Sequence, residues 1–324
     1  MKRHTVAVVF SALGAATLAF GAQAQAWPSK PIRIVIPFVP GGSSDIVGRA
    51  IGAKFQEILG QPAVVENKPG ANGGIAAEFV AKSDPDGYTI LVGSIGVFSI
   101  NAALFKDLRY NPVRDFAPIT LAVTTPNVLI TKPDLKAGSL KELVAFAKQN
   151  PGKLSYCSSG TGSSDHLTAE LLKQMAGIDA LHVPYKGGAA CQTDIMGNQV
   201  DFSFQNLGAV TSYIKGNRMK ALAVTAPKRH PQLPDVPSAG EAGFADLVVT
   251  SWQAAVAPAK TPRDIVAKLN QATVKALRSP DVSERMQQIG FDVVANTPEE
   301  FGKFMQQEVD RWTKVVQRGN IKAE

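Results

Sequence analysis

Two loops of small residues carry the groups in this chain best suited to holding a ligand. One is Val39-Pro40-Gly41-Gly42-Ser43-Ser44-Asp45, between a β-branched run and a helical pattern. The other, Ser158 to His166, reads Ser-Ser-Gly-Thr-Gly-Ser-Ser-Asp-His and lies between an expected strand at 154–157 and a helical pattern. A helix start exposes unpaired N–H groups and the positive end of the helix dipole. Glycines just ahead of it let an anion approach those groups, so the chemistry on offer is the hydrogen bonding of a carboxylate or phosphate. The same residues also fit tightly turned, capped β–α units that bind nothing. Asp45 serves either as a cap and dipole partner or as a group that orders the loop and accepts from a ligand amine or bridging water. Ser159, Thr161, Ser163 and Ser164 either cap the helix after Gly162 or, with Gly160, make a neutral nest for a carboxylate. Tyr185-Lys186-Gly187-Gly188 adds an aromatic wall and a cation. Phe38, ahead of the first loop, is either core or pocket wall.

Signals for catalysis are mostly missing. No G-x-x-x-x-G-K-[ST] occurs, the first loop lacks G-x-G-x-x-G spacing, and no G-x-S-x-G elbow is present. Beyond His4, the histidines are His166, His182 and His230, none with H-E-x-x-H or finger-like spacing. No metal or cofactor is expected. Spacing alone leaves open a Cys157–His166 or Cys157–His182 dyad, since such pairs meet in space rather than in sequence.

The elements that position these loops alternate. Strands are expected at 32–38, 63–66 and 88–92, with a long helix from Asp45 to Gly60 and a short one ending near Lys82. A second set alternates strands at 154–157, 180–183, 200–204 and 221–225 with helices at 167–175, 190–196 and 208–215. Repeated β–α units imply mostly parallel sheets flanked by helices, with ligands outside the carboxyl ends of the strands. That rule marks Pro40 to Asp45, Asn67 to Gly74 and Gly93 to Gly96, the last holding Ser94; Asn206 is a further ligand-binding candidate. Extended passages at 121–129 and 248–256 are the expected cross-overs between two lobes: 27–125 plus 248–324, and 126–247. Lobes facing each other present both loops to one cleft, as a closing, ligand-trapping protein requires.

Residues 1–26 read as a secretory signal peptide: Met1-Lys2-Arg3-His4, an apolar run to Phe20, and cleavage after Ala24 or Ala26. No cysteine near the cleavage region offers a lipid attachment, so export to the periplasm without an anchor is expected. Loss of Lys2 and Arg3 lowers the formal charge from +7 to +5. Scattered cations without interleaved aromatics argue against nucleic acid and suit a small anion. Cys157 and Cys191 are the two cysteines; an oxidising compartment permits one disulfide, and two separate buried thiols fit as well.

From Trp27 to the C-terminus the chain resembles the Bug proteins, periplasmic solute receptors of betaproteobacteria related to the TctC subunit of tripartite tricarboxylate transporters. The resemblance rests on the linked series WPSKPIRIVIPFVPGGSSDIVGR, VVENKPGANGG, PDGYTI, DFAPIT, PGKLSY, SSGTGSSDHL, HVPYKGG, LPDVPSAGEAGF, APAKTPRDIV and TPEEF. It implies a two-lobed α/β binding protein of type II-like fold with no cofactor and no chemistry. The first loop (Phe38, Pro40, Gly41, Gly42, Ser43, Asp45) would hold one ligand carboxylate, partly through water. The opposing lobe would contribute 158–164 with Tyr185, Lys186 and Gly187. Cys157 and Cys191 depart from the small residues expected at both places in the family. That paired departure favours a disulfide and points toward the amino-acid-binding members, such as aspartate receptors. The implied ligand is a dicarboxylic amino acid (aspartate or glutamate) or a C4-dicarboxylate; a tricarboxylate or a nicotinate-like aromatic carboxylate is the alternative. The implied partner is a tripartite membrane permease or a sensor protein, with the receptor a monomer. An exported hydrolase using a serine or cysteine nucleophile is the reading from another class.

Overall fold

The computed structural model describes residues 27–318 and 321–322; the expected signal peptide lies outside them. The chain opens with β1 (Ile32–Ile36), α1 (Ser43–Leu59), β2 (Ala63–Asn67), α2 (Gly74–Ala81) and β3 (Thr89–Ser94). A π-helical turn, Gly96–Ile100, leads into α3 (Asn101–Leu104) and then the long β4 (Phe116–Thr131). The second set is α4 (Leu140–Gln149), β5 (Ser155–Ser158), α5 (Ser164–Ala176), β6 (Leu181–Pro184), α6 (Gly188–Met196), β7 (Phe202–Asn206), α7 (Leu207–Lys215) and β8 (Lys220–Val224). The chain finishes with β9 (Thr250–Pro258), α8 (Arg263–Leu277), α9 (Pro280–Ile289), β10 (Asp292–Val293) and α10 (Pro298–Arg318).

Local signals in the sequence account for many of these boundaries. Gly60 ends α1 in the left-handed conformation that lets its amide bond back to Gln56. Thr297 and Glu300 form a reciprocal capping pair at the start of α10. The Thr297 amide donates to Glu300 Oε2 at 2.9 Å, and the Glu300 amide donates to Thr297 Oγ1 at 3.2 Å.

Parallel pairing, expected for most of the sheet, holds for β2-β1-β3 and for β7-β5-β6. Between those groups the sheet is mixed. β9 runs antiparallel to β3 and β4, and β4 runs antiparallel to β7, β8 and β10. β4 is the strand shared by the two halves: residues 116–126 pair with β9, and residues 127–131 pair with β7 and β8. The matching cross-over expected at 248–256 is narrower. β9 pairs only within the first half, and the return from the second half is pinned by single bonds, the Val249 amide to Thr225 O at 3.1 Å and the Thr225 amide to Asn127 O at 2.8 Å.

Apolar side chains are buried on both faces of the sheet, and β1 (Ile-Arg-Ile-Val-Ile) is accordingly rich in β-branched residues. Phe98, Phe116, Trp252 and Phe301 form an aromatic core on one face of the first half, while Ile34, Ile51, Phe55 and Leu269 fill the other. In the second half Tyr156, Phe202 and Phe204 lie on one face, with Val128, Cys157, Cys191 and Val210 on the other. Buried Glu308 anchors α10 to this frame by accepting from Trp252 Nε1 at 2.9 Å and Trp312 Nε1 at 3.2 Å. No described helix is long and apolar enough to cross a membrane.

Candidate ligand-binding site

The two halves meet along the loops singled out above. The Val39 amide donates to Lys186 O at 3.3 Å across the seam. At its centre lies a cavity of about 40 Å³. Depressions of about 720 Å³, beside Lys30 and Arg33, and about 970 Å³, beside Phe105 and Tyr110, are larger but lie on the outer surface, away from the loop seam.

Seven of the sequence candidates line the central cavity: Phe38, Gly42, Ser43, Ser94, Ser159, Ser163 and Asn206. Pro40, Gly41, Asp45, Gly160, Thr161, Gly162, Tyr185, Lys186 and Gly187 do not. Pro40, Gly41 and Lys186 are solvent-exposed, and Thr161 lines an outer depression with His166 and His182. Gly160 and Gly162 pack against Asn72 of the opposite half. Asp45 is consumed by its own loop. It accepts from the Gly41 amide, Arg49 Nε and Asn67 Nδ2, each at 2.9 Å. Burial pushes its carboxyl up, but these donors outweigh that and hold it below its usual value. The Tyr185 hydroxyl donates to Asp194 rather than facing the cavity.

Ser164, a cap or nest residue in the sequence reading, is an eighth, and Ser44, Asp165 and Gly188 of the same loops join it; Gln192, Gln205, Ala209, Ser251 and Gln253 were absent from the sequence candidates. Gln253 alone had a weak signal, a lone amide ahead of an apolar run in its strand. Ser44 Oγ donates to Gln253 Oε1 at 2.6 Å, and Gln253 Nε2 reaches Asn206 Oδ1 at 3.4 Å. Asn206 Nδ2 in turn donates to Asn127 Oδ1 at 2.6 Å and Ser164 Oγ at 3.3 Å. This chain of neutral amides and hydroxyls ties α1 to the starts of α7 and α5.

Four helices begin at the cavity. Gly42, Ser163, Gly187 and Asn206 are the cap residues of α1, α5, α6 and α7, and a cap or first-turn residue of each lines the wall. Only α5 has a side-chain cap, Ser163 Oγ accepting from the His166 amide at 3.3 Å; α1, α6 and α7 have none. First-turn amides left without a cap are donors awaiting an acceptor, and each dipole favours negative charge by about 0.3–1 kcal/mol. No lysine, arginine or histidine lines the wall. Asp165 is its one ionisable side chain. Its Oδ2 accepts from the Ser159 amide and Ser159 Oγ, both at 2.7 Å, and from Gln205 Nε2 at 2.9 Å. Burial raises the Asp165 pKa against the pull of these donors.

Directly behind Gln205 lies a disulfide between Cys157 and Cys191, with Cα atoms 5.6 Å apart. It removes the thiol that a Cys157–histidine dyad would require. Gln205 Nε2 lies 3.3 Å from Cys191 Sγ and 3.0 Å from Ser203 Oγ, so the crosslink backs the cavity wall.

His166 and His182 stack on each other with ring centroids 4.2 Å apart, and Tyr156 stacks on His182 at 4.8 Å. His166 Nδ1 accepts from the Gly162 amide at 3.1 Å, which requires an unprotonated ring nitrogen. Burial lowers the His166 pKa to about 4 and, with the neighbouring His166 ring, lowers that of His182 to about 3. Both rings are therefore neutral in the folded protein at pH 6 and charged in the unfolded chain below about 6.5. Their contribution to stability is complete above that value and is lost as pH falls toward 4. Between pH 7 and pH 5 the loss should reach about 2 kcal/mol from His166 alone. Urea unfolding at the two pH values measures it; His166→Gln should remove roughly half of the combined dependence, His182 keeping the rest.

Comparison with known proteins agrees with this architecture. Residues 47–321 match the family described as TctC, the tripartite tricarboxylate transporter family receptor. A protein from Pseudomonas sp. (strain P51), named for the tcbD–tcbE intergenic region, is 39% identical over 292 residues, covering 90% of this chain and 87% of its own. The solved structure of periplasmic binding protein BugD is 36% identical with a TM-score of 0.89, covering 92% of this chain and 100% of that one. Two further structures are similar: an R. palustris protein with adipate (34% identity, TM-score 0.88, 91% and 99% covered) and MatC from Rhodopseudomonas palustris with bound malate (33%, 0.87, 90% and 100%). Family and fold alike are those of binding proteins rather than enzymes. With residues 47–321 matched to the family model, this chain belongs to the TctC family of periplasmic solute-binding receptors.

Proposed function

We propose that the protein captures a small dicarboxylate by closing two lobes, 27–125 plus 248–324 and 126–247, around it. The ligand is a dicarboxylic amino acid such as aspartate or glutamate, or a C4-dicarboxylate. The observation that carries this reading is the convergence of four helix starts, three without side-chain caps, on one cavity with no cationic side chain. Backbone amides and hydroxyls would hold each carboxylate directly or through water. The two similar structures with adipate and malate support a ligand with two carboxylates.

In this reading Gly42, Ser43 and Ser44 hold one carboxylate, and Ser159, Ser163 and Asn206 face it from the other lobe. Asp45, Gly41 and Gly187 shape the loops instead of touching the ligand. Export through the 1–26 leader would place the receptor free in the periplasm, as a monomer, to serve a tripartite permease or a sensor. The test is calorimetry on protein denatured and refolded to strip retained ligand, against aspartate, glutamate, succinate, malate, citrate and nicotinate. Micromolar or tighter binding of a dicarboxylate is expected. Preference for citrate or nicotinate would overturn the ligand class, and turnover of an ester or amide would overturn the receptor reading.

A further inference from the structure

The two cavity loops share the tetrad Gly-Ser-Ser-Asp, at 42–45 and at 162–165, and the two aspartates have different company. Asp45 is paired with Arg49 one helical turn later, at 2.9 Å. The residue one turn after Asp165 is Ala169. Its hydrogen-bond partners, Ser159, Ser163 and Gln205, are all neutral. Asp45 does not line the cavity, whereas Asp165, 3% exposed, does. The site thus aims a buried, uncompensated carboxylate at a space whose helix starts invite anions.

A plain dicarboxylate would bring two more negative charges beside it. An ammonium group on the same ligand would supply the cation that Arg49 gives Asp45. We infer that Asp165 receives an ammonium group of the ligand and makes the site selective for amino dicarboxylates over the same chains without the amine. Gln205 and Ser159 hold the carboxylate in place, and the Cys157–Cys191 crosslink backs Gln205. The inference rests on the receptor reading above and narrows its ligand class.

The test compares refolded wild type and Asp165→Asn by calorimetry with L-aspartate, L-malate and succinate. Asparagine keeps the shape and an acceptor for the Ser159 donors while removing the charge. Wild type should prefer aspartate to both amine-free ligands by about 30-fold, the worth of a charged hydrogen bond. Asp165→Asn should lose most of that preference by weakening aspartate while leaving succinate equal or tighter. A purely structural role for Asp165 would weaken all three together and leave the ratio unchanged; that result overturns the inference. So does a wild type that binds malate or succinate as tightly as aspartate, a measurement that needs no variant. Failure of wild type to bind any of the three overturns the dicarboxylate reading itself.

Discussion

Gly187→Ala should weaken ligand binding by about 100-fold, an effect that acts through closure. Gly187 sits at φ +141°, ψ 159°, a backbone region essentially restricted to glycine. A Cβ there would lie 2.9 Å from Val39 Cγ2, 3.2 Å from Phe38 Cβ and 3.3 Å from the Val39 nitrogen. All three atoms belong to the opposite half, on the loop whose amide bonds to Lys186 O. On the proposed closing motion, an open form would free the 184–188 loop of those neighbours and let it relax. In the closed form it must carry both the strained backbone and the clash. The penalty therefore falls on the step that traps the ligand. Calorimetry should show the loss of affinity, and solution scattering with saturating ligand should show a larger radius of gyration than wild type. Trimming the neighbour as well, in Gly187→Ala with Val39→Ala, should recover part of the affinity. Unchanged affinity in the single variant would show that this seam does not close on the ligand.

Loss of the Cys157–Cys191 crosslink should give the largest change in stability. The two cysteines are 34 residues apart in sequence. Closing a loop of that size restricts the unfolded chain enough to stabilise the fold by about 4 kcal/mol in the chain-entropy account. Replacing both by alanine should lower the melting temperature by roughly 10 °C for a chain of this size. Treating unfolded wild type with a reductant should reproduce the value in refolding experiments. The crosslink joins the end of β5 to α6, and Gln205 leans on its sulfur from β7. The cavity wall should loosen too, so ligand affinity should fall modestly in the same variant. A stability change below about 1 kcal/mol would show that the sulfurs merely fill space.

The loops that form the seam were legible in the sequence because their signals are local. Gly41-Gly42 after a β-branched run, and Gly160 and Gly162 after a short strand of mixed residues, stop a strand and start a helix whatever the rest of the chain does. The Thr297–Glu300 cap was legible for the same reason. Two cysteines permitted a disulfide but did not require one; only the parallel register that places the end of β5 beside the start of α6 brings them within bonding distance. The antiparallel insertion of β9 beside β4 had no local signature, since a strand buried on both faces reads the same in either direction.

The cavity wall was the least legible part. Gln205 and Gln253 reach it because β7 and β9 come together through their separate pairings with β4, a contact that Gln253 makes with Asn206, 47 positions away in the chain. Asp45 and Asp165 end the same tetrad, and nothing in their immediate sequence separates a loop-ordering acid from a cavity acid beyond the arginine one turn later. Local chemistry therefore determined that two helix starts with small-residue approaches would offer hydrogen-bond donors to an anion. Tertiary structure alone decided which side chains line the cavity, because lining depends on how the two halves meet, and that meeting is set by long-range strand pairing.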